Sequence, residues 1–518
     1  MSFLRLLFAL TALVLGLLLL GAQRAGSLDD LFVVLSQGRS LLEGSWGAIE
    51  AGGLPAWGAT SSLDLLLKAL LQTLGDPILM VWWGNTGIYL LACWVFVRLA
   101  RALTEEGQRG SGPDPLMPWK AGLLGLGFVC APGFSEGSTY LLESALWGLC
   151  MGLVALGWLQ NWRTPRLGMA LVALAWCRPE AALLALLLGA IRPRLLPWVV
   201  LAVSLGLGWR YWAAGHILPD TFFAKSSDSR LQEIRDGIAY LRAFLVTPGG
   251  AGILLGLCLA WWPGEAGLTP ARKLSLLGGA ALALVLLEGG DGYVGARLML
   301  PVSLLGLGCV GLMLREGNRS QRRGALVALA LVLLPALVAA GGVAHQLFEV
   351  SRPEPLRTRD FDPEQAAGRG LACASFALGG ATVGVRDMQS LRWFEPGIPL
   401  RDASGLTDRK IARSPAPGRV RHGRDAFGLL ALDGVEILYL DHQRLRPQPW
   451  AGLDVRRSLT QASAAYIGFP RSAEEAQLLA RDYVAVSMEV PGGWLNVLVL
   501  KGLEPGLREC GFHLEQPQ

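Results

Sequence analysis

The stretch PILMVWWGNTGIYLLACWVFVR, residues 77–98, decides the class of the fold, because no charge interrupts it before its last residue. At about 1.5 Å of rise per helical residue it is long enough to cross a hydrocarbon core of about 30 Å. Outward from it, further apolar runs lie near residues 4–22, 119–133, 139–159, 167–177, 181–191, 195–213, 243–262, 274–288, 298–314 and 324–345. Together they predict a polytopic α-helical membrane protein with about eleven transmembrane helices. Arg178, Pro179 and Glu180 put a polar break in the middle of 167–191. Composition agrees: 52% of residues are hydrophobic, 17% are charged and the mean hydropathy is +0.42, whereas soluble domains carry about 25% charged residues. The run 4–22 has no nearby cleavage point with small residues at both −1 and −3, and reads as a retained helix rather than a signal peptide.

Charge divides the chain near residue 345. Residues 1–345 hold 25 Lys and Arg against 20 Asp and Glu, and residues 346–518 hold 21 of each, so the net +5 belongs to the membrane part. With the N-terminus inside, Arg5 and the segments 98–120, 160–166, 192–194, 263–273 and 315–323 collect 15 basic and 5 acidic residues, and the other side 10 and 15. The positive-inside rule then predicts a cytoplasmic N-terminus, and an odd number of passes sends the tail outside. Two domains are expected. Residues 1–345 form a transmembrane domain with long outer loops at 23–76 and 214–242, whose amphipathic stretches lie along the interface. Residues 346–518 form an extracytoplasmic α/β domain, with ALDGVEILYL (431–440), YVAVSMEV (483–490) and WLNVLVL (494–500) as strands and TDRKIARS (407–414) and SAEEAQLLARD (472–482) as helices. Six of the eight cysteines are scattered through apolar runs without metal-ligand spacing and read as packing residues. Cys373 and Cys510 stand in the tail, where an extracytoplasmic setting would let them pair. The balanced tail and bilayer-bound remainder leave no basic footprint for nucleic acid.

Charges on the outer side gather at loop starts: Asp29 with Asp30, Glu143, Arg178 with Glu180, Asp220 with Thr221 and Lys225, and Asp291 to Arg297. Near a bilayer such charges need a partner or a wet cavity, which suggests a cavity opening outward. Interface decoration is the bland alternative. Asp29 and Asp30 are adjacent carboxylates that could supply a general base and a hydroxyl or metal ligand; a plain helix N-cap is the competing reading. Lys225 at headgroup level suits a phosphate as a point charge, or else snorkels. Arg297, after a Gly-rich turn, could clamp a phosphate in bidentate fashion.

These segments resemble, in order along the chain, the AftB-type arabinofuranosyltransferases and their bacterial relatives in the GT-C superfamily. The run 29–71, beginning DDLFVVLSQG, is similar to the family's first outer loop, with its DDAFI-like start. YLLESALWGL (140–149) and AWCRPEAALLAL (175–186) are similar to the GLET-type and ARPEG-type segments. RYWAAGHILPDTFFAK (210–225) resembles RxxYYGxxLPNTYYAK, and GGDGYVGARLMLP (289–301) resembles GGDFMxGRFLLP. In the tail, DASGLTDRKIARSP (402–415) looks like DxxGLTDxxIAR, with His422 where a Gly-His pair often follows. Asp220 departs from the usual Asn, Phe222 and Phe223 from a Tyr pair, Tyr293 from Phe, and Asp64 stands at the aromatic of the family's SPLW.

The resemblance implies a membrane glycosyltransferase of the bacterial inner (cytoplasmic) membrane. Its donor would be a polyprenyl phosphate carrying one sugar, and its acceptor an envelope glycan, lipid or protein on the outer face. Asp29 would be the base and Asp30 its partner, with a divalent metal at Asp30 left open and no other cofactor implied. Lys225 and Arg297 would hold the donor phosphate. Glu143, Arg178, Glu180, Asp220, Thr221 and Asp291 would line the substrate cavity, and Asp402, Asp408 and His422 an acceptor path, against the simpler reading of Asp408 as a helix cap. A transporter would show corresponding broken helices in two halves, and no internal repeat is visible; a non-catalytic relative serving envelope assembly is the other rival.

Overall fold

Proline and capping residues set the helix starts. Pro77, Pro179, Pro248 and Pro270 each occupy a first helical position, where their missing N–H costs nothing. Ser61, Ser229, Thr247 and Thr269 accept first-turn amides as N-caps. The computed structural model describes residues 29–513 apart from 48, 52–53, 106–116, 135–142, 226–228, 263–268, 290–296, 350–361, 386–388, 405–406, 414–425, 441–447, 452, 457–472 and 492; at Asp29, Asp30 and Lys225 it describes the backbone. The expected first pass at 4–22 lies outside these residues.

The chain begins with α1 (Asp29–Leu42), a small hairpin of β1 (Ile49–Ala51) and β2 (Leu54–Ala56), and α2 (Ser62–Gln72). Apolar helices follow: α3 (Pro77–Glu105), α4 (Met117–Val129), α5 (Ser144–Leu159), α6 (Thr164–Cys177), α7 (Pro179–Ile191) and α8 (Leu196–Ala214). A short α9 (Asp220–Lys225) leads to α10 (Arg230–Leu245), α11 (Pro248–Leu259) and α12 (Pro270–Leu287), and a 3-10 turn (Arg297–Met299) to α13 (Leu300–Glu316) and α14 (Arg319–Glu349). Among the described residues, α3, α12 and the run Arg297–Glu316 are long and apolar enough to cross a membrane, and α10 with α11 make a fourth candidate bent by 100°. That bend falls at the start of the apolar run expected over 243–262. Thr247 caps Gly250 N at 3.0 Å, and Pro248 has no N–H with which to continue α10. Helix α10 instead exposes Leu231, Ile234 and Ile238 along one side.

Small residues bring the apolar helices together, as packing inside a membrane requires. A Cβ added at Gly256 of α11 would meet the Gly306 carbonyl of α13 at 3.0 Å, and one at Gly252 the Ala328 carbonyl of α14 at 2.5 Å. Leu201 and Leu205 of α8 are exposed at the surface.

The tail contains α15 (Asp362–Ala377), β3 (Val383–Val385), α16 (Gln389–Phe394), β4 (Leu400–Asp402), α17 (Arg409–Ala412), α18 (Ala426–Leu432), β5 (Ile437–Leu438), α19 (Ala473–Asp482), β6 (Tyr483–Val490) and β7 (Gly493–Leu500). It is an α/β unit with a five-stranded sheet ordered β4-β3-β5-β7-β6. β3 runs parallel to β4 and β5, whereas β7 is antiparallel to β5 and β6. Cys373 and Cys510 form a disulfide that joins α15 to the closing 3-10 turn. The tail rests on the membrane part, among other places, at α1 and α9. Phe394 of α16 meets Phe32 of α1, and Arg39 donates to the Trp393 carbonyl at 3.1 Å while lying 3.8 Å over its ring. Helix α17 packs Ala412 on Ala224 of α9, and Arg409 donates to the Ala214 carbonyl at 3.0 Å.

Candidate functional site

Arg178 organises a buried charged cluster. Pro179 ends α6 and opens α7, so the residue before it is held extended, at φ −160° and ψ 156°. The guanidinium thereby leaves both helix surfaces and reaches two carboxylates. Nε donates to Glu180 Oε2 at 3.1 Å and Nη2 to Glu180 Oε1 at 2.8 Å, while Nη1 donates to Glu143, just ahead of α5. The Trp147 ring lies 5.3 Å from the same guanidinium. Arg297, at the turn before α13, is close enough to Glu143 and Arg178 to interact with both electrostatically. The structure thus brings together four of the residues named from sequence: Glu143, Arg178, Glu180 and Arg297.

Four further residues of this cluster escaped the sequence reading. Lys68 of α2 donates to Asp64 at 2.6 Å, both buried, and Lys68 also interacts electrostatically with Glu143. Burial pushes the Asp64 carboxyl above its ordinary range, against the pull of Lys68. Arg210 of α8 interacts electrostatically with Glu180, and Glu288 shares a hydrogen bond with Glu180. Their signal was present: Lys68 and Arg210 are lone cations inside apolar stretches, and Asp64 precedes Lys68 by one helical turn. Beside the cluster runs an apolar slot between α5, α7, α12 and α13, lined by Trp147, Leu184, Ala281, Leu298 and Pro301, with Glu180 as its charged residue.

Asp29 and Asp30 occupy the first two positions of α1, and Lys225 the last of α9; their side chains, like Asp291 and His422 altogether, lie outside the described residues. Asp220 is fully buried. Its Oδ2 accepts from Trp57 N at 2.8 Å, its own N–H donates to Trp57 O at 2.8 Å, and His216 Nε2 lies 3.2 Å away. From the tail, Arg413 Nε approaches Oδ1 to 3.5 Å and its guanidinium covers Phe223 at 4.3 Å. Thr221 beside it is also buried. Asp220 therefore fastens α9 to β2's outlet and to the tail.

The two described acids of the expected acceptor path are engaged locally. Asp402 accepts from Ser404 N (2.8 Å) and Oγ (2.5 Å) on one oxygen and from Thr407 N and Oγ1 (2.9 Å each) on the other. Asp408 caps α17 through Lys410 N and Ile411 N and pairs with Arg401. Arg401 and Lys410 also reach Asp433. Desolvation works against ionisation of Asp433, but hydrogen bonds from Lys410 and Arg401 outweigh it and hold its carboxyl below the ordinary range.

No family model and no curated protein matches the chain. Among solved structures, ArnT from Cupriavidus metallidurans, bound to undecaprenyl phosphate, aligns over 86% of this chain and 81% of its own, at 17% identity and a TM-score of 0.40.

Proposed function

We propose that the chain is an inverting GT-C-type glycosyltransferase. It would move one sugar, arabinofuranose or another pentose or hexose, from a polyprenyl phosphate to an envelope glycan, lipid or protein at the outer face of the bacterial cytoplasmic membrane. The observation that carries this reading is the buried cluster of Glu143, Arg178, Glu180 and Arg297. A phosphate suits the cationic groups of this cluster. The ordered sequence resemblance supplies the rest.

In this reading, Asp29 at the start of α1 takes the proton of the acceptor hydroxyl as that oxygen attacks the anomeric carbon. Lys225 and Arg297 take up charge on the departing lipid phosphate. Arg178 holds the cavity wall by tying Glu143 to Glu180 across two helix ends. Among the described residues no group of three or more His, Cys, Asp or Glu could hold a metal; the side chain of Asp30 lies outside those residues. Purified protein in lipid nanodiscs, offered a panel of polyprenyl-phosphate monosaccharides and envelope acceptors, should transfer one of these sugars. Asp29→Asn should lower that rate about 10²- to 10⁴-fold while donor binding persists. Turnover of nucleotide sugars in place of lipid-linked ones would overturn the proposal.

A further inference from the structure

We propose that Arg210, Ser62 and the first turn of α2 form an oxyanion site for a phosphate group, additional to Lys225 and Arg297 and without part in the function proposed above. Arg210 projects from α8 into the protein and is 7% exposed. Its Nη2 donates to the Thr60 carbonyl at 3.0 Å and to Ser62 Oγ at 3.1 Å, whereas its buried Nε has no acceptor. No carboxylate among the described residues pairs with it. Glu180 interacts with it only at longer range, and both Glu180 oxygens already accept from Arg178. A guanidinium buried among apolar helices without a counter-ion is costly, and such residues mark places where a ligand supplies the missing charge.

The surroundings suit an anion. Ser61 caps α2 by accepting from Asp64 N at 3.1 Å. The helix itself offers no acceptor to its earliest amides, which carry the positive end of the helix dipole. Asp64 would oppose an anion there, but Lys68 neutralises it at 2.6 Å. The unused edge of Arg210, the Ser62 hydroxyl and the start of α2 thus lie together, which is the donor set that a tetrahedral phosphate accepts. The phosphate could be borne by a lipid headgroup or be free in solution.

The test compares binding of inorganic phosphate and of a polyprenyl monophosphate to the full chain in nanodiscs, read as ³¹P line broadening and as a shift in melting midpoint. The wild type should bind, and Arg210→Gln should bind about 10- to 100-fold more weakly. Ser62→Asp places a carboxylate against Arg210. It should raise the melting midpoint without ligand and remove the part of the response that Arg210 carries, leaving lipid binding at Lys225 and Arg297 in place, so it decides the matter even if Arg210→Gln fails to fold. If the variants lose response to the lipid alone, the site takes a headgroup; if they lose response to both at similar concentration, it takes phosphate as such. A wild type that responds to neither, or variants that respond like it, would overturn the site. No turnover enters the readout, so a protein that binds phosphate but transfers no sugar keeps this site and loses the glycosyltransferase reading.

Discussion

Arg178 shows what a single residue carries here and how much of it can be read from sequence. The break Arg178-Pro179-Glu180 inside an apolar run is conspicuous, because charges between two apolar helices need partners. Glu180 is legible as one partner, being two residues away, and Glu143 stands out as an isolated acid at a helix start. Arg210 and Ser62 are a different case: they meet across 148 residues, and only the packing of α8 against the start of α2 brings them together. Glu143, Arg178, Glu180 and Arg297 are legible as charges at outer loop starts, whereas Asp64, Lys68, Arg210 and Glu288 lie within or at the ends of apolar runs and join them only through the fold. Since Arg178 pairs directly with both Glu143 and Glu180, Arg178→Met should take the nearest cation from two buried carboxylates at once. Breaking a buried pair in this way costs about 3–5 kcal/mol. Glu143→Gln, which leaves the bidentate pair with Glu180 in place, should cost less. Melting midpoints of the purified variants check this order, and equal midpoints would show that the cluster does not hold α5 to α6 and α7.

At the scale of elements, length and pattern governed what could be anticipated. The strands β6 and β7 are eight residues each and rich in Val and Leu, so both are plain in the sequence. β3 and β4 are three residues each, and tertiary pairing rather than local propensity makes them strands. The α10–α11 bend went unforeseen because the apolar composition continues across Pro248 while the capping by Thr247 redirects the chain. Helix α17 was anticipated, but at four residues it depends on its cap and on the cluster of Arg401, Asp408, Lys410 and Asp433. Asp433 gives this element an acid sensitivity of known sign. Its carboxyl is held low in the folded tail, so its contribution is complete above the unfolded value of about 3.9 and fades as pH falls through the folded value. Titration below about pH 4 should therefore loosen α17 in the wild type, and Asp433→Asn should remove that part of the acid response. Hydrogen exchange at the amides of Ile411 and Ala412, followed against pH, measures it; identical profiles for the two proteins would assign the sensitivity to another group.

For the whole molecule, the division of charge near residue 345 announced a tail of different character, but not where the tail would rest. It rests on α1 through Trp393 and Phe394 and on α9 through Ala412 and Arg413, the two elements that carry Asp29 and Lys225. The seam is electrostatic as well as apolar. Asp220 is fully buried, and Arg413 is the cation that the tail brings to it, with His216 alongside. Removing Arg413 leaves a buried carboxylate short of its partner, so α9 should loosen while α1 stays gripped by Trp393. If α9 presents Lys225 to the donor phosphate, Arg413→Ala should raise the donor KM several-fold and leave kcat nearly unchanged, because weaker uniform binding shows in KM. Arg413→Lys, which keeps the positive charge, should recover most of the loss. Trp393→Ala, acting on the element that carries the base, should lower kcat with little change in KM. Steady-state kinetics with one lipid-linked donor separates these patterns. A fall in kcat on Arg413→Ala at constant KM would mean that α9 serves the reacting centre instead of the lipid phosphate, and the roles of Lys225 and Asp29 would have to be assigned anew.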